Sequence, residues 1–274
     1  MHDIITTSGA TGLDQVIWPQ RYALASTEYV VVDVETTGLD STTDRVVEVA
    51  AVRFKDGRPV HTFSSTVNPG RPIPAVAAGI HLLGDDEVRG APRWPQVEAA
   101  LASFVRPDDL IVAHNAPFDR GFLDVIADRN WVDTCRFARH LWPTAPRHKN
   151  MMLRFWLGLT HERLADRSAH AAAADALVTG LLFYRELTVY QSLHPYATID
   201  DVKAYVDSPL TVLRFNGGGM HDGKLLADIP ADYLRWVLSD LAKPREHRKL
   251  KRGVDADTVA AIQRDLALRT WVAA

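Results

Sequence analysis

Apolar and polar positions along this chain follow two periods in turn. The run Tyr29-Val30-Val31-Val32-Asp33-Val34-Glu35 is almost continuously apolar and β-branched, which reads as a buried strand. A second β-branched stretch from Asp44 to Lys55, the Asp56-Gly57 turn and a third strand near Val60 to Val67 read as a hairpin. The spacing then becomes helical near 74–81, 94–105, 119–127, 150–157 and 169–189, interrupted by the apolar run Leu110-Ile111-Val112-Ala113. A stretch with two prolines, Gln191 to Pro209, carries the capping-box-like start Thr198-Ile199-Asp200-Asp201 and reads as a linker with one short helix. A last helical pattern runs from Asp255 to Val272. The first residues, up to Thr27, fit neither period and are expected to form a loosely packed extension.

Two acids break the first strand. Side chains alternate across a strand, so Asp33 and Glu35 project from one face and stand side by side. Burying two like charges costs several kcal/mol apiece unless a cation or a dense hydrogen-bond set compensates, and oxygen ligands suit Mg²⁺ or Mn²⁺. On the strand alone, acids that merely cap the turn Thr36-Thr37-Gly38-Leu39 explain the pattern equally well.

Two further acids raise the same question. Asp119 follows the apolar strand and the N-cap-type residue Asn115, in the first turn of a helix that opens with Pro117. That position lies past a strand's carboxyl end, where ligands gather in open α/β sheets, although a first-turn aspartate complementing the helix dipole is common. Asp175 sits in an alanine-rich and then leucine-rich helical run, where a charge is expensive unless it faces a site. His170 precedes it by five residues and does not share its helix face. Taken alone, it reads as a helix-start residue.

Composition narrows the class without deciding it. A chain of 274 residues, 47% of them hydrophobic, can bury a sizeable core with one main domain and an appendage. One cysteine, Cys135, excludes an intrachain disulfide framework and suits a reducing cytoplasm. It reads as a buried thiol. No signal peptide or membrane span is expected from residues 1–27. The net charge of −3 runs against nucleic-acid binding, but bound divalent cations and the sign of the local patch outweigh the total.

Taken together, the acids and their neighbours resemble the DEDDh family of 3′–5′ exonucleases. Asp33-Val34-Glu35-Thr36-Thr37-Gly38 meets its first motif, His114-Asn115-Ala116-Pro117-Phe118-Asp119 its second, and His170-Ala171-Ala172-Ala173-Ala174-Asp175-Ala176 its third. The resemblance covers about Tyr29 to Tyr190 and implies a ribonuclease-H-like α/β fold, a mixed sheet flanked by helices, with a small C-terminal appendage. It implies Asp33, Glu35, Asp119 and Asp175 as ligands of two Mg²⁺ (or Mn²⁺), one ion on Asp33, Glu35 and Asp175 and the other mostly on Asp33 and Asp119. His170 would be the general base, a role that a pKa near 6.5 suits. Thr36, Gly38, Leu39, His81, Asn115, Phe118 and Lys224 would contact substrate. Many relatives carry Ile-His-Gly-Ile-Thr where this chain has Ile80-His81-Leu82-Leu83-Gly84, so the glycine and the threonine are replaced. Glu48 is expected to hydrogen-bond the loop at Thr36 and Thr37 and to be no fifth ligand.

Within the family, the stretch from Trp131 to Pro143 and the C-terminal run through Gly223-Lys224 and Tyr233-Leu234-Arg235-Trp236 look like exodeoxyribonuclease X-like proteins. The usual Phe-Gly-Lys start of that module is Gly218-Gly219-Met220 here. The division expected is an extension over 1–27, an exonuclease domain over 28–190, a linker over 191–209 and the module with its basic tail over 210–274. Tyr233 and Trp236 share a helix face and are expected in the module's core, while Lys224 and the run from Lys243 to Arg252 could track phosphates. The implied function is release of nucleoside 5′-monophosphates from DNA 3′ ends. A 3′–5′ exoribonuclease acting on RNA 3′ ends is the nearest alternative, and a nucleic-acid-binding or targeting subunit with little catalysis is a further one.

Overall fold

The computed structural model describes residues 24–162, 172–250 and 254–272, which divide into two compact units. The first comprises the described parts of 1–141 and 147–207, and the second 142–146 with those of 208–274.

In the first unit, β1 (Tyr29–Thr36), β2 (Val46–Lys55), β3 (Arg58–Thr66), β4 (Leu110–Ala113) and β5 (Asn130–Asp133) form a mixed sheet in the order β3-β2-β1-β4-β5. β1 pairs antiparallel with β2 and β2 with β3, while β4 lies parallel to β1 and to β5. Asp56 and Gly57 both take positive φ, 50° and 70°, so a two-residue turn whose twist suits the strands closes the hairpin. The fifth strand was not expected from the sequence. Its four residues offer too short an alternation to stand out, and its pairing with β4 defines it.

Helices cover both faces of this sheet: α1 (Ala75–His81), α2 (Asp85–Val88), α3 (Trp94–Phe104), α4 (Ala116–Phe122), α5 (Thr134–Leu141), α6 (Asn150–Trp156), α7 (Ala172–Leu193) and α8 (Ile199–Asp207). Alternation along β1 sends Tyr29 and Val31 into a core with Phe54, Phe183 and Leu187, and Val30, Val32 and Val34 into another with Val97 and Leu101. Asp33 and Glu35 therefore belong to the α7 face. Gly180 lets α7 lie close on the strands: a Cβ there would stand 2.1 Å from the Phe54 ring, and the Gly180 carbonyl accepts the Tyr29 hydroxyl at 2.9 Å. At the amino end of β1, Arg53 donates to both Asp109 oxygens at 2.7 Å, to Glu28 at 3.1 Å and to the Phe104 carbonyl at 3.0 Å.

Three boundaries differ from expectation. Leu24 is buried in the core beside Tyr29, so the packed chain begins before residue 28. The second-motif helix starts at Ala116 and passes into a 3-10 turn over Asp124–Ile126. The stretch expected to be a linker extends α7 to Leu193 and then forms α8, whose Val202 and Val206 are buried and whose Tyr205 ring lies 4.9 Å from that of Tyr190. Thr198 and Asp201 do form the reciprocal cap, at 2.8 and 3.3 Å. Two apolar residues on one helix face gave too weak a period to reveal this packing in sequence.

The second unit has its own core of Phe215, Leu226, Ile229, Leu234, Val237 and Ile262, built on α9 (Ala231–Leu241) and α10 (Ala256–Val272). Tyr233 and Trp236 pack against it with rings 5.3 Å apart, as expected. Part of the basic run wraps a buried carboxylate, for Asp240 accepts Lys243 Nζ and the backbone N–H groups of Lys249 and Leu250. Lys251 and Arg252 lie outside the described residues. No helix among the described residues is long and apolar enough to cross a membrane.

Candidate active site

The carboxyl end of β1 gathers acids from three elements. Carboxylate oxygens of Asp33 and Glu35 on β1 and of Asp175, the fourth residue of α7, all lie within 4.8 Å of one another. Asp119 reaches the same strand from α4. β4 pairs with β1 only from Tyr29 to Val31, which leaves the Val34 N–H open, and Asp119 Oδ1 accepts it at 3.0 Å. Strand alternation, a shortened parallel partner and close packing of α7 thus place the four predicted acids together.

Their electrostatics are those of crowded like charges. Burial raises Asp33 well above the usual carboxylate range, and Asp119, Asp175, Glu35 and Glu48 raise it further. Glu35 is pushed up to about 7 by burial, then by Asp175 and Glu48. Asp119 rises to about 8 through burial, although backbone N–H groups favour its anion. Among the described residues, no lysine or arginine pairs with Asp33, Glu35 or Asp119. Hard oxygen donors crowded this way fit a divalent cation.

Glu48 corrects an expectation. It pairs in register with Glu35, but its Oε2 accepts the Ala172 N–H at 2.9 Å, so it holds the start of α7 and not the Thr36-Thr37 loop. A glutamate within the apolar run of β2 was the signal, but its partner lies 124 residues away. The loop is tied by Asp44, which accepts the Thr37 hydroxyl and the Asp40 N–H, and a Cβ on Gly38 would collide with that carboxylate.

The expected substrate contacts are placed unequally. Thr36 and His81 are buried, Gly38 and Phe118 are half-buried, and Leu39 and Asn115 are exposed. His81 Nδ1 accepts the Leu83 N–H at 3.1 Å, and burial lowers its pKa. Leu82 takes φ 60°, the left-handed conformation that glycine adopts freely and that costs a leucine roughly 1–2 kcal/mol. Asn115 also has positive φ, 74°; its side chain makes no cap bond, and its N–H donates to Asp133. Lys224 is exposed in the second unit. His170 lies outside the described residues.

Sequence reasoning assigned no role to two tethers. His114 bridges the Thr134 hydroxyl at 2.8 Å and the His148 carbonyl at 2.7 Å, and burial lowers its pKa. Asn150 Nδ2 donates to the Asp175 carbonyl at 3.1 Å and to Thr179 Oγ1 at 3.0 Å. Cys135 is half-buried, with its thiol pushed up to about 12 by burial, and has no nucleophile's environment.

Comparison with known proteins points the same way. The model of a family described as an exonuclease, RNase_T, matches residues 30–183. The DNA polymerase III PolC-type proteins of Latilactobacillus sakei subsp. sakei (strain 23K) and Lacticaseibacillus paracasei are 35% and 36% identical over 172 and 171 residues. Each match takes in 59% of this chain and 11% of the relative, so the chain spans only about a tenth of the length of these proteins. The solved structure of exonuclease X in complex with 5′ overhanging duplex DNA has a TM-score of 0.54 and 27% identity, covering 65% of this chain and 99% of that one. E. coli exonuclease I in complex with a dT13 oligonucleotide shares the fold at a TM-score of 0.52 and 20% identity, over 62% of this chain and 43% of its own.

Proposed function

The chain belongs to the RNase_T exonuclease family, and from that premise we propose that its first unit is a divalent-cation-dependent 3′–5′ exonuclease that releases nucleoside 5′-monophosphates from DNA. The observation that carries this reading is the group of three carboxylates within 4.8 Å, beside a fourth, with burial and mutual repulsion as the causes of their raised pKa values. Asp33, Glu35, Asp119 and Asp175 would hold two Mg²⁺ or Mn²⁺ ions. Such ions supply an activated water and neutralise charge on the scissile phosphate.

The chain's own residues do the rest. Glu48 and Asn150 fix the first turns of α7 and so position Asp175. The open N–H of Val34 orients Asp119. His170 takes the proton of the attacking water, a role that rests on the third motif. Leu39, exposed beside Gly38 on the tied loop, and Asn115 offer contacts to the terminal nucleotide, and Lys224, exposed in its own unit, offers a phosphate contact. DNA is favoured over RNA because the similar proteins are DNA polymerases and the exonuclease X structure holds duplex DNA.

The test uses 5′-labelled single-stranded DNA, duplex DNA and RNA of matched length, each with Mg²⁺ or with excess chelator. Stepwise shortening of DNA from its 3′ end in Mg²⁺ alone is expected. Full cleavage in chelator, or none of any substrate in Mg²⁺, would overturn the reading.

A further inference from the structure

Helix α6 turns its most costly side chains outward. Phe155 is 73% exposed and Trp156 43%, with Met151 and Met152 exposed beside them. Leaving most of the Phe155 ring and part of the Trp156 ring in water forgoes burial that most helices secure. Leu153 faces inward and is fully buried, so the helix is seated and not displaced.

Its position is tied to the acid cluster. Asn150, the first residue of α6, donates to the carbonyl of Asp175 and to Thr179, and the loop before it is held where His114 and Cys135 reach the His148 carbonyl. In that loop Arg147 and Lys149 are exposed and pair with no acid among the described residues. The Arg154 guanidinium lies 5.1 Å from the Phe155 ring centroid and helps set the ring's orientation. Cations followed along the chain by exposed aromatics suit a single-strand groove, where rings stack bases and cations follow phosphates.

We propose that α6 and the loop before it form a grip for the single nucleic-acid strand that leads into the acid cluster, with bases on Phe155 and Trp156 and phosphodiesters on Arg147 and Lys149. This rests on the nuclease reading above. Two exposed cations in the loop that leads into the helix, paired with no acid among the described residues, favour a polyanion over an apolar protein surface as occupant.

The test is binding of a fluorescein-labelled oligothymidylate to the full chain in chelator, with hydrolysis of the p-nitrophenyl ester of thymidine 5′-monophosphate in Mn²⁺ as a separate readout. Phe155→Ala and Trp156→Ala should each weaken oligonucleotide binding roughly tenfold, and Phe155→Tyr should keep it near wild type. The Arg147→Ala/Lys149→Ala pair should reduce the slope of log affinity against log salt by about 1.4, whereas the ring variants leave it unchanged. Wild-type affinity and salt slope in all variants would overturn the proposal. So would equal losses on the oligonucleotide and the ester, which would mean that α6 only props Asp175. Failure of the wild type to hydrolyse the ester would count against the nuclease reading alone, because the binding arm needs no turnover.

Discussion

The two ends of β1 bury charge in opposite ways. At the amino end, Arg53 answers Asp109 and Glu28, and the Asp109 carboxyl is held below its usual pKa because hydrogen bonds and charge from Arg53 and Arg106 outweigh its burial. At the carboxyl end, Asp33, Glu35 and Asp119 face one another and Asp175, and each is pushed upward. Desolvation acts at both ends; what differs is a cation. One end is balanced within the chain, as a structural element needs, and the other is left for ions that the chain does not provide.

The comparison is broken most severely by removing charge at the carboxyl end. Asp33→Asn, Glu35→Gln, Asp119→Asn or Asp175→Asn should each lower kcat on the order of 10³-fold, with double variants little worse than single ones because the acids act as a unit. Without metal, Asp33→Asn and Glu35→Gln should melt no lower than wild type, since each relieves repulsion. Single-turnover rates and melting curves check both statements. His170→Ala should cost about 10²–10⁴ in kcat and spare cation binding; near-normal turnover or lost cation affinity would remove it from the base role.

At the amino end the signs reverse. Asp109→Ala should cost up to about 3–5 kcal/mol of stability by leaving the buried Arg53 with only Glu28 and the Phe104 carbonyl, yet the folded fraction should keep its rate per molecule. Denaturant melts paired with active-site titration separate the two effects, and a rate loss without destabilisation would erase the distinction between the ends.

A smaller effect follows from pH. Glu35 and Asp119 have folded pKa values of about 7 and 8, above those of the unfolded chain, so the metal-free native state holds more protons in that window. Its stability should fall as pH rises from about 5 to 8. Asp109, with its pKa lowered, contributes stability that is present above its unfolded pKa and lost only in more acid solution. Melting temperatures in chelator should therefore decline across neutrality, and Mg²⁺ should flatten the decline. A flat profile without metal would show that the acids are not crowded in solution.

Sequence gave access to one side of this comparison only. The acid end was legible because carboxylates stand out in apolar strands and helices, and because three motifs repeat a family's order. The amino end was not, since Arg53 and Asp109 lie 56 residues apart and look like ordinary polar positions until β1, β2 and β4 align. Glu48 stands out within the apolar run of β2, but strand register alone cannot reveal its partner, a helix start 124 residues away. Strand β5 and helix α8 were too short, or too sparse in apolar residues, to announce their packing.

Cation binding at the carboxyl end tests the central claim most directly. Mn²⁺ titrations followed by electron paramagnetic resonance, at steps from pH 6 to pH 8, should show affinity rising with pH as protons leave Glu35 and Asp119, with binding largely lost in Glu35→Gln and unaffected by Asp109→Asn. Affinity that is independent of pH, or that survives Glu35→Gln unchanged, would contradict the assignment of these acids as a cation site.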